Sequence, residues 1–334
     1  MTDDCKISVL MTVCNGERYL RQAVDSILSQ TFGEFEFVII NDGSIDATGE
    51  ILDGYTDNRI RRVDNDGNRK LIYSLNRGLS LCRGKYVARM DADDIALPER
   101  LDEQFRFMES HPDTGICGSY VNSFYEETGK TKRLVFPVDD RGIRAFAFFQ
   151  SPFIHPSVIL RREVITGHNL SYPNCYRAED YAFWTNMLRY TKGANIPRVL
   201  LNYRKHSASE STLGETQEAE MNGTIGKIEA DYLAFYGFTL SDDEVPVYAR
   251  FVNRSISYSP SVDNQRSVTL ILQRLLEYFT KQDKLLGKRV EHYLSEICFY
   301  RFFISQKFPV TLFLLRLYLQ GGLIYSGKVL QNKI

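Results

Sequence analysis

Three acidic clusters and one basic one are the residues able to do chemistry. Asp91-Ala92-Asp93-Asp94 packs three carboxylates into four positions. Ionised carboxylates this close repel, and a divalent cation relieves the repulsion. Mg²⁺ or Mn²⁺ suits such a cluster, because these ions are held by one or two carboxylates together with a substrate's phosphates. The alternative is a solvated turn, with Asp93 or Asp94 capping the helix that starts near Pro98. Asn41-Asp42-Gly43-Ser44 offers a short carboxylate that can accept from a base N–H or a ribose hydroxyl, and a plain turn is the competing account. Ala178-Glu179-Asp180-Tyr181 opens an apparent helix. Asp180 there is either a general base for a hydroxyl or an acid stabilised at a helix N-terminus. In Tyr203-Arg204-Lys205-His206, Arg204 and His206 can neutralise a diphosphate and His206 can reach a metal, although an exposed basic turn fits the same residues.

The elements that must position these groups alternate in period. Apolar runs at 7–13, 35–40, 60–63 and 86–90 predict strands, the last ending on Asp91. Between them, helical spacing predicts helices over 17–30, over 47–55 with Asp46 as N-cap, and from 71 to a stop near Gly84. This order implies a doubly wound α/β fold with a mostly parallel sheet covered on both faces. Ligands of such sheets sit at the carboxyl ends of the strands, where Asp42 and Asp91 fall. Pro98 fits the first turn of a helix over 99–110. Mixed strands and loops over 115–162, a helix over 177–190 and a strand over 197–204 complete this part. Helices alone follow residue 214.

The chain has 334 residues, 43% of them hydrophobic and 25% charged, and a net charge of −1. That is the composition of a globular protein of about two domains, and it gives no reason to expect nucleic-acid binding. The near-zero total hides an asymmetry: residues 281–334 hold nine Lys/Arg against three Asp/Glu, a net of +6, leaving −7 for the rest. A basic, aromatic tail suggests an anionic membrane surface, a partner protein or a second copy of the chain. The apolar stretch 308–325 is interrupted by Arg316, Gln320 and Gly321-Gly322, so a buried or interfacial helix is expected rather than a spanning one. The six cysteines show no metal spacing and read as free buried thiols of a reducing cytosol. The first residues show no basic region of a signal peptide.

Taken together the clusters resemble the family-2 glycosyltransferases of the GT-A fold. The matching segments are Ile7 to Glu17, Phe37 to Asp46, Leu75-Asn76-Arg77-Gly78-Leu79, Gly84 to Asp94, His155-Pro156-Ser157, Glu179-Asp180 and Tyr203 to His206, in that order. Coverage is roughly residues 5 to 211. The resemblance implies a catalytic domain over 1–212, with a nucleotide-binding half (1–94) and an acceptor-binding half (95–212), followed by a helical region (213–334). It implies transfer of a sugar, with inversion, from a nucleotide-sugar donor (UDP-linked by family habit) to a glycan or lipid-linked acceptor. The setting implied is bacterial surface polysaccharide synthesis, in the cytoplasm or peripherally on the inner face of the membrane. Thr12, Cys14, Asp42, Asp91 and Ala92 would line the donor pocket, with Lys70 or Arg69 near the nucleotide. Asp93, with Asp91, would hold Mn²⁺ or Mg²⁺. Asp180 would be the base, Arg204 and His206 would cover the diphosphate, and Ser209 and Ser211 would sit in a closing loop. His155, Glu179 and Trp184 would lie toward the acceptor. Cys14 departs from the family's usual tyrosine or proline-rich pattern, so no ring is available there to stack on the base.

Other α/β classes fit less well. The place after the first strand holds Cys14-Asn15-Gly16-Glu17 instead of a GxGxxG turn or the basic, glycine-rich loop of a nucleotidyltransferase. An aspartyl-nucleophile phosphatase would place its DxD after the first strand instead of the fourth. A catalytically silent carbohydrate- or partner-binding protein on the same fold is the remaining alternative, and the intact set Asp42, Asp91, Asp93 and Asp180 argues against it.

Overall fold

The computed structural model describes residues 5–175, 177–206, 215–253, 261–305, 309 and 311–331. The chain divides into two units. The first comprises residues 1–140, 153–175 and 179–212, and the second 141–152, 176–178 and 213–334. Segment 141–152 therefore goes with the helical unit, although the sequence suggested a single boundary near 212.

The first unit is built on a nine-stranded sheet. Its leading half is β1 (Ile7–Val13), α1 (Leu20–Leu28), β2 (Phe35–Asn41), α2 (Thr48–Asp53), β3 (Ile60–Asp64), α3 (Leu71–Leu81) and β4 (Tyr86–Asp91). Strands β3, β2, β1 and β4 lie side by side, all parallel. All of β2 is buried and β1 nearly so, as expected of a parallel sheet covered on both faces. On α1 the residues Leu20, Ala23, Val24 and Ile27 recur at helical spacing and pack fully buried in this core. Each large aliphatic side chain buried this way contributes roughly 1.5–3 kcal/mol. The buried polar pair of β1 and β2 is satisfied: Ser8 Oγ donates to Glu36 Oε1 at 2.5 Å, and Arg83 Nη2 reaches Glu36 Oε2 at 2.8 Å.

The trailing half is β5 (Ile95–Ala96), α4 (Arg100–Ser110), β6 (Thr114–Tyr125), β7 (Thr131–Leu134), a 3-10 turn at His155–Ser157, β8 (Ile159–Arg161), α6 (Arg162–Gly167), α7 (Glu179–Met187) and β9 (Lys192–Lys205). Here β8 pairs antiparallel with β4 and β6, whereas β9 runs parallel to β6. Strand β9 is longer than its sequence suggests, because Lys192 to Asn195 are poor strand formers held by β6 alone. Its register jumps between Ile196 and Val199, so Pro197 sits at an irregularity where its missing N–H costs no ladder bond. Helix α1 starts later than expected because residues 15–17 bond to the loop after β2. Asn15 N donates to Ser44 Oγ at 2.9 Å, Gly16 N to Thr48 Oγ1 at 2.8 Å and Glu17 N to Asp46 Oδ2 at 3.0 Å.

The second unit contains α5 (Asp140–Phe146, from Arg141 on), α8 (Glu215–Phe235), α9 (Glu244–Val252), α10 (Val262–Gln282), α11 (Lys284–Ser305) and α12 (Leu312–Gln331). The ring of Phe148 packs 4.6 Å from Phe279 and 5.5 Å from Tyr232, centroid to centroid. Tyr248 Oη donates to the Phe148 carbonyl at 2.9 Å. Glu229 is fully buried with no hydrogen-bond partner for either oxygen, and burial raises its carboxyl well above the usual range. Among the described residues no helix is long and apolar enough to cross a membrane. All six cysteines are free, but only Cys82, Cys117 and Cys298 are buried; Cys14 is exposed at the mouth of a loop, contrary to the expectation of six buried thiols.

Candidate active site

The register of the parallel strands brings the expected donor residues to one edge. Thr12 on β1 pairs with Asp91 on β4, and Val13 pairs with Asn41 on β2, so Thr12, Asp42 and Asp91 leave neighbouring strand ends together. Asp42 is buried, and its Oδ1 accepts from Asn65 Nδ2 at 2.6 Å and from the Arg69 amide at 2.8 Å. Asn65 also donates to Ser74 Oγ at 2.8 Å and accepts from Arg77. Gly43 at φ 65° allows this closeness, since a Cβ there would lie 2.3 Å from the Gly67 carbonyl carbon. Asn68 Nδ2 donates to Cys14 Sγ at 3.2 Å, which joins the loop carrying Arg69 and Lys70 to the end of β1. Lys70 is exposed at φ 72°, immediately before α3.

At the neighbouring strand end, ligand atoms of Asp91, Asp93 and Asp94 all lie within 4.8 Å of one another. Asp94 is fully buried, its Oδ1 accepts the Arg204 amide at 2.8 Å, and its Oδ2 has no hydrogen-bond partner among the described residues. Burial, then Asp91 and Asp93, push the Asp94 carboxyl well above the carboxylate range. Neither Asp93 nor Asp94 caps a helix: Glu99 occupies the N-cap of α4, because β5 intervenes after the cluster. His206 Nε2 stands 3.1 Å from Asp93 Oδ2, and its ring packs 4.9 Å from that of Tyr19. Three carboxylates, one with an orphaned buried oxygen, form a hard oxygen donor set that fits Mn²⁺ or Mg²⁺, with the His206 imidazole against Asp93. Ala92 packs partly buried against the core beneath.

Arg204, expected near a diphosphate, is engaged within the protein. Its Nε donates to the Asp93 carbonyl at 2.8 Å, Nη2 to Gln22 Oε1 at 2.7 Å and Nη1 to Glu126 Oε1 at 3.4 Å. The guanidinium also sits between the rings of Tyr19 and Phe124, at 4.4 and 4.7 Å. Every guanidinium nitrogen thus has a protein oxygen, and the side chain holds the acidic loop against β9.

Asp180 heads α7 and is half-buried, with its Oδ1 accepting the Tyr181 amide at 2.6 Å. Burial, then the adjacent Glu179, pushes its carboxyl up to about 7, against the Tyr181 N–H and Arg89, which favour ionisation. The Tyr203 phenol is raised by burial and by Asp91, Asp94, Asp93 and Asp180, which puts Asp180 and the acidic cluster in one electrostatic neighbourhood. His155 Nε2 bonds the Tyr172 hydroxyl at 3.0 Å, and burial followed by Arg89 holds its imidazole neutral. Trp184 is fully buried against His155, Tyr172 and Phe153, so it forms the wall behind these groups and presents no face to an acceptor. Glu179 is likewise buried, at 8% exposure. Ser209 and Ser211 lie outside the described residues.

Sequence reasoning passed over Arg89. It is 2% exposed on β4, in ion-pair contact with Asp91, and its Nε has no partner. Below it Arg100, also fully buried, donates to the Arg89 carbonyl at 2.6 Å. Burial lowers Arg100 to about 9, with Asp94 opposing the shift. The available signal was a lone arginine inside an apolar strand, since a buried charge demands a partner.

Residues 8–168 match the model of glycosyl transferase family 2. An uncharacterized glycosyltransferase of Haemophilus influenzae is 30% identical over 86% of this chain and 90% of its own length. The UDP-Gal:alpha-D-GlcNAc-diphosphoundecaprenol beta-1,3-galactosyltransferase of Escherichia coli is 30% identical over 72% of this chain and 90% of its own. The crystal structure of S. aureus TarS 1–349 with UDP-GlcNAc superposes with a TM-score of 0.56 at 16% identity, covering 96% of this chain and 92% of that one. The fold is GT-A-like with a helical C-terminal region, and the sequence relatives carry the rest: the chain is a glycosyltransferase and belongs to family 2.

Proposed function

We propose that the chain transfers a sugar from a UDP-linked donor to a hydroxyl of a glycan or lipid-linked acceptor, with inversion, in the synthesis of a bacterial surface polysaccharide. The observation that carries this reading is the three-carboxylate cluster with its Asp94 oxygen unpartnered among the described residues, set beside Asp42 at adjoining strand ends. Asp42, held by Asn65 and the Arg69 amide, faces the base, and Thr12 and Cys14 line the same end of β1. Lys70 contributes positive charge on the nucleotide side. Asp93 and Asp91, with His206 in reach, would hold Mn²⁺ or Mg²⁺. A cation held there would supply charge neutralisation for the departing diphosphate.

Asp180 takes the acceptor hydroxyl's proton as that oxygen forms its bond to the anomeric carbon and the bond to the diphosphate oxygen breaks. The proton ends on the Asp180 carboxyl and the electron pair of the broken bond leaves with the nucleotide. A base poised near neutrality suits this task. Arg89 keeps both Asp91 and Asp180 biased toward ionisation. The UDP-linked donor and lipid-linked acceptor named for the Escherichia coli relative support this choice of substrate class.

The test is a thermal-shift screen of nucleotide sugars with Mn²⁺, followed by donor hydrolysis without acceptor. A donor at a hundred times its dissociation constant adds about 2.7 kcal/mol of stability. A chain stabilised by UDP-sugars that never releases UDP is a binding protein on this fold. One stabilised by no nucleotide sugar overturns the donor reading altogether.

A further inference from the structure

The described part of α12 is apolar almost all round, with Arg316 as its one charged residue between Leu312 and Ile324. Among the described residues only one side is covered. Leu314 and Leu317 are fully buried, the Leu314 carbonyl accepts from Cys298 Sγ at 3.2 Å, and Gly321 lets the backbone approach Ser295 of α11. On the other side Leu312, Leu319 and Leu323 are 83%, 58% and 77% exposed. With Arg316 they fall at spacings of four, three and four residues, which is one helix face.

That face has a basic neighbour. Arg316 pairs with Glu291 of α11. Lys284 and Lys288, both exposed, precede Glu291 by seven and three residues and share its side of the helix. Leu285, 53% exposed, and the exposed Arg289 flank them. The α11–α12 hairpin therefore displays leucines beside lysines on one side.

We infer that this side of the hairpin docks on an anionic lipid surface, lying in the interface with Leu312, Leu319 and Leu323 in the acyl boundary and Lys284 and Lys288 among the headgroups. Charge selects this occupant over a second copy. The exposed charges on this side are Lys284, Lys288 and Arg289, Glu291 being paired with Arg316, so two such faces repel each other, whereas an anionic bilayer attracts each of them. No helix among the described residues can cross a bilayer, so the contact is interfacial. The inference stands on the helical unit's own residues and does not need the transferase reading. Where both hold, the enzyme shares its surface with lipid-linked acceptors.

The experiment is co-sedimentation of the full chain with phosphatidylcholine vesicles, with and without phosphatidylglycerol. Binding is expected only to the anionic vesicles and is expected to weaken as salt rises. The double variant Leu319→Glu/Leu323→Glu, and separately Lys284→Glu/Lys288→Glu, should each lower binding on the order of tenfold or more. All four positions are exposed and outside the candidate active site, so donor hydrolysis should be unchanged. Equal sedimentation of parent and variants overturns the inference. So does a parent that ignores vesicles while the leucine variants dissolve a dimer seen by light scattering. Absent donor hydrolysis in the parent counts against the transferase reading alone.

Discussion

His206 Nε2 and Asp93 Oδ2 stand 3.1 Å apart, joining the residue that follows β9 to the middle carboxylate of the acidic cluster. An imidazole so placed can serve a cation at Asp93 either as a ligand or as the group that orients the carboxylate. Asp93→Ala is expected to abolish Mn²⁺-dependent transfer. His206→Ala is expected to weaken Mn²⁺ roughly 10–100-fold, the usual effect of losing a ligand's orienting partner. Mn²⁺ titration by paramagnetic resonance measures both. Unaltered Mn²⁺ affinity in His206→Ala would reduce the contact to a structural hydrogen bond.

Arg204 separates two roles cleanly. If it positions the acidic loop, Arg204→Lys loses the forked donation to the Asp93 carbonyl, Gln22 and Glu126 together with the stacking on Tyr19 and Phe124. A loss of about 2–4 kcal/mol in unfolding free energy is then expected, with UDP affinity of the folded variant nearly intact. A variant as stable as the parent that binds UDP far more weakly would return Arg204 to the diphosphate.

Much of this arrangement is legible in the sequence, and the rest is hidden for definite reasons. Apolar runs that end on Asp42 and Asp91 specify parallel strands and put both acids at carboxyl ends, because side-chain period and strand direction are local properties. The partners of those acids are not local. Nothing in the neighbourhood of Arg204 announces Gln22, 182 residues away, or that its charge is consumed inside the protein. Trp184 reads as a helix-face aromatic until α7 proves buried along nearly its whole length. Arg89 looks like an interruption of a strand and becomes intelligible only with Asp91 beside it.

The Asp42 pocket predicts a base-directed effect. Asp42→Asn preserves shape but presents an N–H where a carboxylate oxygen accepted, leaving the Arg69 amide or Asn65 facing a donor. Uridine nucleotides should bind at least tenfold more weakly, or about 1.4 kcal/mol, and Asn65→Ala should lose less because the Arg69 amide still holds Asp42. Calorimetry with UDP checks this. Equal affinities in all three proteins would place the base elsewhere.

Asp180 predicts the pH dependence. Its carboxyl titrates at about 7 in the folded chain, raised by burial and Glu179, against ~3.9 when unfolded. The active form is the carboxylate, so transfer should rise as pH rises through about 7 and then level. Stability runs the other way. The folded chain keeps a proton that the unfolded chain releases, so this group's contribution falls as pH climbs from the unfolded value toward the folded one. Asp180→Asn should therefore lose transfer, keep donor affinity and lack that decline in stability. Arg89 sharpens the test, because it is the cation opposing the rise. Arg89→Met should move the acid limb of the rate profile to higher pH, while Arg89→Lys should hold it closer to the parent's. An acid limb unmoved in Arg89→Met, or an active Asp180→Asn, would take the proton-accepting role away from Asp180.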